Sequence, residues 1–181
     1  GELHIEDTNQ KERLSEVKRK LELNELMFLS KCNRVEFAFT TSEEVNVTFL
    51  DTFFHELYPD FNNEQRVRFS SNGDVYHGLN AVEHQLSVAS SVDSMVVGER
   101  EIITQVRGAV EACREMGLTG DLIRLVMRHT IETAKKVYTE TSIARRPVSV
   151  VSLAYHRLRD MNVPLDSRIL IVGAGVTNNN M

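Results

Sequence analysis

The chain has 181 residues, of which 41% are hydrophobic and 26% charged, the balance of an ordinary globular protein long enough for one domain or one domain plus part of another. A net charge of −5 and a pI near 5.7 oppose non-specific nucleic-acid binding as the main task. Two cysteines are too few for a disulfide framework, neither they nor the six histidines fall at metal-ligand spacing, and no apolar run is long enough to span a bilayer.

The pattern predicts an amphipathic helix over 10–24, where Leu14, Val17 and Leu21 recur at helical spacing among charged residues. The period then changes. A continuous apolar run at 26–29 and the alternation Val35, Phe37, Phe39 read as two strands joined through 30–34. A helix is expected over 45–57, closed by Tyr58-Pro59-Asp60, and then a short strand at 66–69 ended by Ser-Ser-Asn-Gly at 70–73. From about 81 the chain turns helical, with an interruption at 90–94, a helix over 101–116 closed by Gly117, and another over 121–138. Pro147 fits the first turn of a helix running to about 162, and 168–172 reads as a buried parallel-type strand entering Gly173-Ala174-Gly175. The predicted fold is α+β: a small antiparallel sheet with packed helices to residue 145, a connecting helix over 146–165, and the opening strand of a Rossmann-like α/β domain over 166–181. The start at Gly1 and the stop at Met181, just inside that new unit, read as the ends of a fragment.

Cys32 is the most suggestive single residue. It lies between the two strands with Lys31 and Arg34 nearby, cations that favour the nucleophilic thiolate, although a half-buried hairpin cysteine fits the same pattern. Cys113, on a helix face with Val110 and Met116, reads as core. His84, between Glu83 and Gln85, is either a general acid or base or a hydrogen-bonded structural histidine. Asp93 and Ser94 fit a helix cap equally well. Gly173-Ala174-Gly175 after a strand is a partial dinucleotide signal, because glycine lets backbone approach a pyrophosphate. Arg124, Arg128, Lys135, Lys136, Arg145 and Arg146 form the one locally basic stretch, either a phosphate-backbone contact or a solvated helix face.

Three segments carry a family resemblance: Leu29-Ser30-Lys31-Cys32-Asn33-Arg34-Val35-Glu36; Glu83-His84 through Ser91-Val92-Asp93-Ser94-Met95-Val96-Val97-Gly98-Glu99 to Gln105-Val106; and Val148-Ser149-Val150 with the later Ile171-Val172-Gly173-Ala174-Gly175. In this order they resemble glutamyl-tRNA reductase. Lys31 stands where that family often has Thr, and Ser91 where Gly is common. The resemblance implies NADPH-dependent reduction of glutamyl-tRNA to glutamate-1-semialdehyde, at the head of five-carbon tetrapyrrole synthesis. It implies Cys32 as thioester-forming nucleophile and His84 as proton donor or acceptor. Arg34 would bind the substrate carboxylate, Asn33 and Ser149 would hydrogen-bond substrate, and Gly173, Ala174 and Gly175 would bind NADPH. It further implies a cytoplasmic homodimer at full length, working with a downstream semialdehyde aminomutase, with no metal and no membrane association. A fragment ending at 181 is expected to retain at most the thioester or esterase step. Two rivals stand against it: a helical interaction module with an inert Cys32, and a general Cys-dependent acyl dehydrogenase that needs no tRNA.

Overall fold

The computed structural model describes residues 2–31, 34–94, 97–143, 150–164, 166–168 and 170. Helix α1 (Asp7–Lys20) leads into the antiparallel hairpin β1 (Glu25–Lys31) and β2 (Arg34–Thr40), and α2 (Val47–Leu57), α3 (Asn63–Asn72), α4 (Leu79–Ala89), α5 (Glu101–Glu115), α6 (Asp121–Glu140) and α7 (Val150–Asp160) follow.

Strand β1 runs through the core, with Glu25 to Leu29 buried without interruption. That continuous apolar run has no polar face because both sides of the hairpin are covered. On one side Phe28 stacks on Phe37 at 5.0 Å between ring centroids, Phe37 meets Phe53 edge-on at 5.0 Å, and Phe39 packs on Phe49 and Phe53. These contacts seat α2 on the sheet. The opposite face meets α4 through His84 and Gln85 against Glu36, and α6 through the Glu25 carboxylate. The outer edge of β1 is closed rather than exposed: Leu26 N–H donates to the Leu118 carbonyl at 3.0 Å, and Phe28 N–H donates to Cys113 Sγ at 3.3 Å. Cys113 is therefore core, as its helix face predicts, and burial pushes its thiol pKa up.

The register pairs Lys31 with Arg34, Leu29 with Glu36 and Phe28 with Phe37. The strands are thus longer, and the connection shorter, than the sequence pattern predicts. Residue 36 lies opposite Leu29, on the face turned away from the aromatic cluster.

One predicted element is wrong. Residues 66–69 belong to a helix, α3, and not to a strand. Asn62 Oδ1 accepts from Gln65 N–H, and Gln65 Oε1 accepts from Asn62 N–H, a reciprocal capping box that starts a helix. The Arg-Val-Arg-Phe alternation is only four residues long, and Val67 is left half exposed while Phe69 packs on Phe54 and Phe61. The other helices lie close to their predicted spans, and α7 occupies 150–160 of the anticipated connecting helix. Of the anticipated final strand, Arg168 and Leu170 carry no strand pairing, and Ile169, Ile171, Val172 and the Gly173-Ala174-Gly175 turn lie outside the described residues.

Candidate active site

Strand β2 supplies the first two side chains. Arg34 and Glu36 are two residues apart, so the pleat puts both on one face, and Arg34 Nη1 donates to Glu36 Oε1 at 2.6 Å. Helix α4 crosses that face and supplies two consecutive residues. His84 Nε2 lies 3.0 Å from Glu36 Oε1, and Gln85 Nε2 donates to Glu36 Oε2 at 3.0 Å. One carboxylate, only 13% exposed, therefore accepts from three side chains. An ionised carboxylate has no hydrogen to give, so His84 Nε2 carries the imidazole hydrogen and Nδ1 is the nitrogen left to accept a proton.

The loop after α4 closes the cluster. Arg34 Nη2 donates to the Asp93 carbonyl at 2.6 Å and to Asp93 Oδ2 at 3.2 Å, and Asp93 Oδ2 stands 3.9 Å from His84 Nδ1. Asp93 is not a helix cap; the N-cap of α5 is Arg100. Burial opposes the Arg34 charge, but hydrogen bonding and attraction to Glu36, then to Asp93, outweigh it and hold the guanidinium pKa above its ordinary value.

The loop is built for a fixed shape. Ser91 is buried with a left-handed φ of 55°, and its Oγ accepts from Gly98 N–H at 3.1 Å and Glu99 N–H at 3.0 Å. The left-handed backbone explains why glycine also suits position 91, and the hydroxyl explains what serine adds there. Gly98 has φ 85°, and a Cβ there would collide with the Ile143 carbonyl oxygen. Tyr138 Oη then ties the next residue down, donating to the Glu99 carbonyl at 2.9 Å.

Beside His84 opens a cleft of ≈ 340 Å³ lined by Tyr76, Asn80, Glu83, His84, Ser87 and Asp93. The Tyr76 ring stacks on the imidazole at 4.3 Å between centroids and 11° between planes.

Of the sequence-predicted site residues, His84 and Arg34 are brought together through Glu36. Cys32, Asn33, Ser149, Gly173, Ala174 and Gly175 lie outside the described residues, although Lys31 and Arg34 bracket positions 32 and 33 at the end of the hairpin. Sequence reasoning missed Glu36, Gln85 and Tyr76. Glu36 had a legible signal, its two-residue spacing from Arg34 on a strand; Gln85 and Tyr76 had none. In the basic stretch, Arg124, Arg128, Lys135 and Lys136 are exposed on α6, Arg124 paired with Asp121, and Arg145 and Arg146 lie outside the described residues. Among the described residues no group of three His, Cys, Asp or Glu side chains could hold a metal ion, and no helix is long and apolar enough to cross a membrane.

The sequence profile of the glutamyl-tRNAGlu reductase N-terminal domain matches residues 1–141. The chain belongs to the glutamyl-tRNA reductase family. It is 34% identical over 172 residues to the glutamyl-tRNA reductase of Marinobacter nauticus, covering 92% of this chain and 38% of that one. Identity to the glutamyl-tRNA reductase of Rhodopirellula baltica is 37% over 153 residues, covering 83% and 35%. The structure of glutamyl-tRNA reductase from Methanopyrus kandleri superposes with a TM-score of 0.62 at 24% identity, over 88% of this chain and 35% of that one, which shows the same α+β fold. The chain spans a little over a third of the length of the curated relatives it matches.

Proposed function

We propose that this chain carries the acyl-transfer centre of a reductase that converts glutamyl-tRNA to glutamate-1-semialdehyde, the entry into five-carbon tetrapyrrole synthesis. The observation that carries the reading is the one part-buried carboxylate of Glu36 holding Arg34 and His84 together at the hairpin end. Chain connectivity alone keeps the Cα of Cys32 within about 7.6 Å of that of Arg34.

The chemistry follows from the atoms available. His84 Nδ1 takes the Cys32 thiol proton, and the Glu36 carboxylate across the ring steadies the resulting imidazolium. The Cys32 thiolate attacks the aminoacyl ester carbonyl, the bond to the ribose oxygen breaks, and Nδ1 returns its proton to that oxygen. The product is a glutamyl thioester and free tRNA. Arg34, pre-oriented by Glu36, offers its planar fork to the side-chain carboxylate of the substrate, which replaces the exposed Asp93 contact. Asn33 and Ser149 supply further hydrogen bonds to substrate.

The family's whole-protein properties extend the proposal. On this reading residues 1–145 are the catalytic domain, 146–165 the connecting helix and 166–181 the start of an NADPH domain, in which Gly173, Ala174 and Gly175 would be the residues that take the pyrophosphate, glycine having no Cβ to keep it away. When bound to that domain, NADPH would supply the hydride for reduction of the Cys32 thioester. The full-length enzyme is a cytoplasmic homodimer that hands its reactive aldehyde to a semialdehyde aminomutase.

The test is acid-quenched mass spectrometry of the protein mixed with glutamyl-tRNA and no NADPH. A glutamyl adduct on the Cys32 peptide is expected, absent with uncharged tRNA and in the nearly isosteric Cys32→Ser variant. Intact glutamyl-tRNA and an unmodified, folded protein would overturn the reading. Substrate consumption without an adduct supports it only if Cys32→Ser abolishes the consumption.

A further inference from the structure

The backbone at position 91 favours glycine: φ is 55°, a region that a side chain destabilises, and the residue is fully buried. What serine adds is a closed set of hydrogen bonds. Its Oγ accepts from Gly98 N–H at 3.1 Å and from Glu99 N–H at 3.0 Å, which leaves the hydroxyl hydrogen to donate. That hydrogen goes to Tyr138 Oη, and Tyr138 gives its own to the Glu99 carbonyl at 2.9 Å. The ring of bonds ties the two ends of the loop, at 91 and at 98–99, to each other and to α6.

The loop so fixed reaches Arg34 through its backbone. Val92 N–H and Asp93 N–H both donate to the Ser87 carbonyl, at 3.0 and 3.3 Å, and the Asp93 carbonyl accepts from Arg34 Nη2 at 2.6 Å. Arg34 therefore has a fixed partner on each side, the Glu36 carboxylate and the Asp93 carbonyl. Its further contact, to Asp93 Oδ2 at 3.2 Å, belongs to a side chain that is 57% exposed, and is the one a substrate carboxylate replaces. Because the fixed contact on the loop side is a carbonyl, the plane of the guanidinium depends on where the loop backbone sits, whatever the side chain at 93. A planar fork grips a carboxylate with both prongs only when that plane is held. We propose that Ser91 and Tyr138 are positioning residues that set selectivity for the substrate's side-chain carboxylate, by clasping the loop so that the Asp93 carbonyl stays against Arg34. The inference rests on the acyl-transfer reading above and on Arg34 as its carboxylate partner.

The test measures acylation of Cys32 by glutamyl-tRNA and by the same tRNA charged with glutamine, whose amide has the same shape and no charge. Wild-type protein is expected to prefer the glutamyl donor. Ser91→Gly removes the hydroxyl but relieves the left-handed backbone, so its urea midpoint should stay close to that of wild type. Its preference for the glutamyl donor should nevertheless fall about tenfold, the size of one charge-assisted hydrogen bond. Tyr138→Phe removes only Oη and should lower the preference in the same direction. The double variant should be no less selective than Ser91→Gly, because both substitutions open the same ring of bonds. A preference unmoved in the folded single variants, or both donors slowed equally, overturns the clasp and leaves the acyl-transfer reading standing. Losses that multiply in the double variant also overturn it. Should Ser91→Gly fail to fold, Tyr138→Phe decides alone. A wild-type protein acylated by both donors alike removes Arg34 as the carboxylate partner, and the clasp falls with it. One acylated by neither defeats the acyl-transfer reading itself.

Discussion

Glu36 concentrates more on one side chain than any other described residue of the site, because Arg34, His84 and Gln85 all donate to it. Removing it and replacing it are different experiments. Glu36→Ala strands a partly buried guanidinium and is expected to cost about 2–3 kcal/mol of stability, read as a fall in the urea midpoint at unchanged slope. Glu36→Gln keeps the volume. Its new amide group would face the Gln85 amide, but Gln85 Oε1 is buried without a partner among the described residues, so a flip of Gln85 turns the clash into a hydrogen bond. That variant should fold like wild type. It should nevertheless transfer glutamate about tenfold more slowly, because a neutral acceptor stabilises imidazolium less than a carboxylate does. Wild-type transfer by Glu36→Gln would show that the carboxylate only holds the fold. The residue was within reach of the sequence: Arg34 and Glu36 share a strand face by spacing alone. What the sequence lacked was the position of α4, since nothing local states that residues 84 and 85 cross over that strand.

Two elements depend on contacts nearly a hundred residues apart or on backbone that only glycine adopts easily. Helix α6 has no side-chain cap from its own N-cap, Gly120; instead the buried Glu25 carboxylate of β1 accepts from Leu122 N–H at 2.9 Å and Ile123 N–H at 2.7 Å. A Cβ at Gly120 would stand 2.9 Å from that carboxylate. Glu25→Ala is expected to cost about 1–2 kcal/mol in chemical denaturation, the size of a lost cap. Gly120→Ala should cost less in the Glu25→Ala background than in wild type, since its clash partner is gone. Equal costs in both backgrounds would refute the contact. In the loop that presents Asp93, Gly98→Ala meets both a left-handed φ and the Ile143 carbonyl, and a loss of more than about 1 kcal/mol is expected together with weaker glutamyl transfer. The same scale explains the failed strand. In 62–69 the alternation of Val67 and Phe69 competed with Asn62 and Gln65 at capping-box spacing, and the cap prevailed because α2 offers Phe69 an aromatic cluster when the segment is helical.

The whole molecule is organised around β1, and its composition already said so: 26–29 is the one run of four consecutive large apolar residues before residue 169, and it is the buried centre of the fold. Helix spans were legible because their faces are amphipathic; how the helices stack on the hairpin was not, because burial of residues such as Val88, Cys113 and Met127 depends on partners distant in the chain. Cys113 turns that global packing into a measurable quantity. Its thiol is 1% exposed and held between α5 and β1, so a reagent reaches it only when the core opens. In a Cys32→Ser background it is the sole thiol, and labelling slower than that of the unfolded chain by at least about a thousandfold is expected. The pH dependence has a definite sign. Burial raises the folded pKa above the ordinary value of 9.0, so as pH climbs through 9.0 the unfolded chain releases the proton while the folded chain still holds it. The unfolded state then binds fewer protons, and stability falls with pH, by at most about 1.4 kcal/mol per unit for one group. The contribution is therefore intact at neutral pH and lost progressively above 9.0. Cys113→Ala lacks the term, so the stability gap between it and the Cys32→Ser parent should narrow between about pH 8 and pH 10. A gap that stays constant over that range would mean that the thiol titrates alike in both states, and that the closed edge of β1 is open to water.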